Sequence, residues 1–92
     1  MTYQTRKGIV LTTVCGQYVL VAAKRARENC PYITEINETA ADCWRRLEQG
    51  CSQDQLVSHL AELYEIPDPA LVKKDVSNLL QRFLEEGYII AV

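Results

Sequence analysis

Up to residue 36 the apolar positions of this chain fall in short β-branched runs; from residue 38 they recur at helical three-and-four spacing. Residues 9–15 and 18–23 are rich in Val, Ile, Leu, Thr and Tyr, side chains that fit a pleated surface. Gly16-Gln17 between them suits a two-residue turn with glycine where φ must be positive, so the two runs predict a hairpin. Pro31 biases Cys30 toward an extended backbone. Residues 32–36 then alternate at period two, with Tyr32, Thr34 and Ile36 on one side and Ile33 and Glu35 on the other. This is a short third strand, leading straight into the helices.

Three helices follow with almost no slack. Asn37 is a good N-cap, and Glu38 puts a negative charge where the helix dipole favours one. A helix over 38–49 places Ala40, Cys43, Trp44 and Leu47 on one face, and Gly50 closes it in a left-handed cap. Ser52 with Gln55 forms a capping box for a second helix, 53–66, whose apolar face is Leu56, Val57, Leu60, Leu63 and Tyr64. Pro67-Asp68-Pro69 stops that helix and starts a third over 69–86, with Asp68 as cap and Pro69 in the first turn. Val72, Val76, Leu79, Leu80 and Phe83 form its inner side. Gly87 ends it, and Tyr88-Ile89-Ile90 returns as a tail or a short last strand. The fold class expected is α+β: a three-stranded antiparallel sheet and a three-helix bundle, of the winged helix-turn-helix kind.

At 92 residues this is one domain, spanning 1–92, with a small core and little room for an enclosed active site. The net charge of −2 provides no general attraction for phosphate backbones or acidic membranes. Cys15, Cys30, Cys43 and Cys51 show no C-x-x-C pair, and Cys43 falls on a helix's apolar stripe. Free thiols in a reducing cytosol fit better than a disulfide framework, so the expected location is cytoplasmic. Those cysteines with His59 lack the paired spacing of a zinc site, and neither metal nor cofactor is expected. Arg6-Lys7 before the apolar run 9–15 faintly resembles a lipoprotein signal, but the run is short and a matching one follows at once, as a hairpin requires. No segment approaches the roughly 20 apolar residues a membrane span needs.

The usual catalytic signatures are missing. There is no phosphate loop, no G-x-S-x-G and no H-E-x-x-H. His59 sits mid-helix at a boundary position, and the carboxylates Glu38, Asp42, Glu48, Asp54, Glu62 and Glu65 occupy capping and surface positions. An enzyme is not expected. A DNA reader would need a basic recognition helix, yet Lys73, Lys74 and Arg82 are balanced by Asp75, Glu85 and Glu86, leaving Asn78 and Gln81 to read bases. Lys24, Arg25, Arg27, Arg45 and Arg46 form a basic cluster that also reads as ordinary solvated surface. A winged-helix regulator remains the alternative, and a structural subunit of a larger enzyme a third reading.

Peptide binding by strand addition fits better. A small sheet must expose an edge of unpaired backbone donors and acceptors, and the strand 32–36 is a candidate with the third helix within reach. An extended peptide could add there as a fourth strand, each backbone hydrogen bond contributing roughly 0.5–1.5 kcal/mol net and helix side chains giving selectivity. The competing expectation is that the tail, Tyr88 to Val92, covers this edge itself.

The segments Ile36-Asn37-Glu38-Thr39-Ala40-Ala41 to Trp44, Leu56-Val57 with Leu60, Tyr64-Glu65-Ile66, Asp75-Val76, and Leu79-Leu80 through Phe83-Leu84 to Gly87-Tyr88-Ile89 carry a resemblance. In order and spacing, residues 36–90 resemble the PqqD family, the RiPP recognition elements that bind leader peptides of ribosomally made, modified natural products. The resemblance implies a leader peptide added beside the third strand and against the third helix, then presented to a modifying enzyme, often a radical SAM enzyme. It implies no catalysis by the domain itself. Carried over by position, the edge is Ile33, Thr34, Glu35 and Ile36, and the helix contributes Val72, Asp75, Val76, Leu79, Arg82 and Phe83. Lys73 or Arg82 could pair with an acidic leader residue. Several of the helix residues read equally well as core. An exposed hairpin could also be exchanged between two copies, which leaves a homodimer open.

Overall fold

The computed structural model describes residues 1–23 and 33–92. The Lys24–Pro31 connection, Cys30, Tyr32 and the basic residues Lys24, Arg25 and Arg27 lie outside the described residues. In chain order the elements are β1 (Thr2–Thr5), β2 (Ile9–Val14), β3 (Gln17–Ala22), β4 (Ile33–Ile36), α1 (Glu38–Glu48), β5 (Cys51–Ser52), α2 (Gln53–Leu63), α3 (Ala70–Glu85) and β6 (Ile89–Ala91).

The expected sheet is present, antiparallel, in the order β2-β3-β4. Its turn differs by one residue from the sequence expectation. Val14 pairs with Gln17, so the turn residues are Cys15 and Gly16, with φ of 51° and 78°. A turn that matches strand twist with both central residues left-handed puts Gly16 second, and Cys15 accepts the first position at some cost. Across the sheet Ile9, Leu11, Tyr18, Leu20, Ala22, Thr34 and Ile36 share the face turned to the core.

A second small sheet, β5-β1-β6, was not expected. In it the N-terminal strand lies between β5 and the C-terminal strand, with Tyr3 opposite both Cys51 and Ala91. The sequence sign was faint: in Thr-Tyr-Gln-Thr only Tyr3 and Thr5 alternate inward, and neither is aliphatic. The tail therefore pairs with β1 and not with β4.

The helix caps follow the sequence closely. Asn37 accepts from the Ala40 N–H at 2.8 Å, and the Ser52–Gln55 capping box is complete in both directions. Asp68 Oδ1 accepts from the Ala70 N–H at 3.0 Å, while Pro69 already has helical dihedrals. α2, however, ends at Leu63, before the prolines are reached. Glu65 adopts a left-handed φ of 53°, its N–H reaches Glu62 O, and the Ile66 N–H reaches back to Ala61 O at 2.8 Å. That is a complete Schellman closure with glutamate at the position glycine usually fills. Because the helix stops there, Leu63 and Tyr64 are exposed and not buried as their spacing suggested.

The core gathers the inner faces of all three helices over both sheets, with Trp44 at its centre. Its ring meets Phe83 edge-on at 5.7 Å and Tyr88 at 6.3 Å, and those two meet at 6.0 Å. This aromatic trio binds α1, α3 and the start of the C-terminal segment to one another.

Candidate functional site: an open strand edge beside a helical cleft

The site is built from β4, the first turn of α1 and one stripe of α3. β4 pairs with β3 on one side: Tyr18 opposite Ile36, Val19 opposite Glu35, Leu20 opposite Thr34 and Val21 opposite Ile33. On its other side no described strand pairs with it, so half its backbone groups face outward as a template for another chain. Among the described residues β2 is the other open edge of this sheet.

The four edge residues alternate as the sequence predicted. Ile33 and Glu35 are exposed on the outer face, Ile36 is buried, and Thr34 is half-buried on the inner face. The Thr34 hydroxyl is hydrogen-bonded to the Tyr88 hydroxyl, tying the edge strand to the residue just past α3. Tyr88 is fully buried, so this bond forms part of the floor behind the edge.

A cleft of about 390 Å³ lies where β4 runs into α1, walled by Asn37, Thr39 and Ala40 on one side and by Asp75, Asn78, Leu79 and Arg82 on the other. The α3 wall is a single stripe at i, i+3, i+4 and i+7. Three expected residues, Asp75, Leu79 and Arg82, therefore meet in one place. Leu79 is half-buried at the cleft's base, while Asp75 is exposed. Arg82 reaches Glu86 at 3.5 Å with about half of its side chain in solvent, so it remains available to an incoming carboxylate. Lys73 is exposed but is not among the cleft's lining residues. Val72, Val76 and Phe83 are at most 5% exposed and belong to the core beneath. Asn37, Thr39, Ala40 and Asn78 are additional lining residues; the i, i+3, i+4, i+7 stripe through Asp75 and Arg82 was the signal for Asn78.

A larger cleft, about 450 Å³, opens at the α1–α2 corner and shares no residue with the first. There Arg46 hydrogen-bonds His59 Nδ1 at 3.0 Å, which makes His59 the acceptor at that nitrogen. Among the described residues no cluster of His, Cys, Asp and Glu could hold a metal ion, and no helix is long and apolar enough to cross a membrane. Cys15, Cys43 and Cys51 are free thiols. Burial, reinforced by the neighbouring Asp42 charge, pushes the Cys43 thiol up to about 12, and burial raises Cys51 as well.

Residues 17–89, from β3 to the start of β6, match the family model described as coenzyme PQQ synthesis protein D (PqqD). The chain belongs to the PqqD family. Two solved structures share the fold of this PqqD-family chain. One is TbiB1 in complex with the TbiA(beta) leader peptide, with 15% identity, a TM-score of 0.75, and 97% of this chain and 96% of that one covered. The other is a lasso peptide synthetase B1 complexed with the leader peptide, with 21% identity, a TM-score of 0.74, and 97% and 98% covered. No curated protein sequence matches this one. The family model begins at β3, so membership rests on the β3-β4 pair as well as on the helices that carried the sequence resemblance.

Proposed function

We propose that this PqqD-family chain is a non-catalytic carrier that binds the leader of a ribosomally made precursor peptide and presents it to a modifying enzyme. The observation that carries the reading is the β4 edge, which no described strand pairs and from which the tail turns away to pair with β1, beside the α3 cleft. The leader adds as a strand along Ile33–Ile36. Its inward side chains enter the cleft between Thr39 and Leu79, and Arg82 fixes register by pairing with an acidic leader residue. Both solved structures of this fold named above are leader-peptide complexes, which supports the same use of the groove here. The partner enzyme acts on the carried peptide in the cytoplasm, and a radical SAM enzyme is the class the family resemblance implies. No cofactor is assigned to the carrier.

The test is an amide NMR titration with a synthetic leader from a neighbouring precursor gene, with duplex DNA run in parallel. Shifts concentrated at 33–36 and along 75–82 with peptide alone are the expected result. Shifts with DNA alone, fading as salt is added, would replace this reading with a phosphate-driven one.

A further inference from the structure

β2 lacks the features that keep sheet edges apart. Over Ile9–Val14 it carries no charge and no proline, and its register with β3 is continuous, without a bulge. Val10 and Val14 stand 59% and 49% exposed on the outer face. β4, the sheet's other edge, holds Glu35. The pairing with β3 decides which β2 backbone groups are unused. The Gly8 carbonyl accepts from the Ala23 N–H, and Val14 with Gln17 closes the two-residue turn, so the even-numbered residues of β2 bond to β3. The N–H and C=O groups of Ile9, Leu11 and Thr13 therefore point away from the sheet, and no described strand receives them.

The outer-face residues of β2, Val10, Thr12 and Val14, read the same in either direction. An identical strand laid antiparallel must set odd-numbered residues opposite odd-numbered ones, because only those have free backbone groups. A two-fold axis through Thr12 does this. Leu11 then faces Thr13 of the second copy in hydrogen-bonded pairs, while Val10 faces Val14 and Thr12 faces Thr12 in the closer, non-hydrogen-bonded ones. The close positions thus hold two β-branched apolar pairs around one hydroxyl pair. Moving the axis to Leu11 keeps the hydrogen bonds but sets Val10 against Thr12 and Val14 against Gly8, so the side chains favour Thr12.

We propose that β2 is a self-association edge: two copies of this chain pair β2 to β2, antiparallel about Thr12, and join their three-stranded sheets into one of order β4-β3-β2-β2-β3-β4. No hairpin is exchanged, and each copy keeps its own fold. The pairing uses the edge opposite the peptide groove, so both β4 edges stay free at the outer ends of the joined sheet and the dimer offers two grooves. About four backbone hydrogen bonds and a narrow apolar strip hold it, which makes the association weak and dependent on concentration.

The test is sedimentation equilibrium of the full chain over a concentration series, with Thr12→Lys and Thr12→Glu run alone and as an equimolar mixture. Thr12 is exposed, and thermal melts verify that both variants stay folded. The expected wild-type mass rises with concentration from one copy toward two. Each variant alone dissociates roughly tenfold more readily, because like charges meet across the axis, and the mixture regains the association by pairing lysine with glutamate. A wild type that stays at one copy up to its solubility limit overturns the proposal. Variants that associate as tightly as wild type put the contact elsewhere, hairpin exchange included, and a mixture that recovers nothing removes the axis from Thr12; both overturn it. No leader is present in any arm, so the β4 groove stands or falls separately.

Discussion

Truncating Trp44 tests the account of the core most directly. The side chain is fully buried and joins α1 to Phe83 of α3 and to Tyr88 through two edge-on contacts. Trp44→Ala removes the buried ring and leaves a cavity, which costs about 3–5 kcal/mol. A chain of 92 residues has about 5–14 kcal/mol of stability in total, so the variant sits near the threshold of folding. Trp44→Phe makes a sharper comparison. The indole Nε1 is buried without a hydrogen-bond partner among the described residues, a liability of about 1–3 kcal/mol that phenylalanine does not carry. Phenylalanine loses part of the packing but sheds that liability, and the two effects offset to within about 1 kcal/mol. Since this is the only tryptophan, urea unfolding is followed by far-UV circular dichroism, reading the midpoint at constant slope. If Trp44→Phe costs as much as Trp44→Ala, Nε1 has a partner in solution and the orphan assignment is wrong.

Other outcomes follow from the same geometry. Glu65→Gly relieves a left-handed glutamate at the α2 closure and raises stability by about 0.5–1 kcal/mol after the entropy of the more flexible unfolded chain is counted; an unchanged melting midpoint contradicts the strain. Cys43 is neutral when folded up to about 12 but ionises near 9.0 when unfolded, so between those values the folded state holds the extra proton. Stability from this group is present below the unfolded value and falls by about 1.4 kcal/mol per pH unit as pH rises through that window, seen as an alkaline shift in urea midpoints that Cys43→Ala abolishes. Arg82→Glu breaks only a half-exposed pair with Glu86, so stability changes by about 1 kcal/mol or less. Leader affinity nevertheless drops, and normal binding by that variant removes Arg82 from the groove.

The helices were legible because their signals are local. Asn37, Ser52 with Gln55, and Asp68 each announce a helix start within a few residues, and the apolar stripe of α1 predicted Ala40, Cys43, Trp44 and Leu47 on its buried face, missing only Ala41. What escaped was set by distance or backbone strain. β1 has few apolar residues and pairs with β5 and β6, partners that no nearby residue predicts. Glu65 gives no compositional hint that it takes the left-handed cap, so α2 was read as one turn too long and Tyr64 as core. At the site, the family resemblance carried Asp75, Leu79 and Arg82 over to α3, but it did not separate a cleft wall from the core stripe one position round the helix. Val72, Val76 and Phe83 were grouped with them for that reason.

The pairing of β1 with β6 carries a consequence for the order of assembly. Tyr3 precedes all three helices in the chain, yet its partner Ala91 follows them, so Tyr3 leaves the ribosome well before the residue it pairs with. The hairpin β2-β3 and each capped helix can form as soon as they are made, because their contacts are near in sequence. The small sheet cannot close before β6 has been made. Until then β1 waits with its hydrogen bonds to β6 unmade, and β6 decides whether the domain locks.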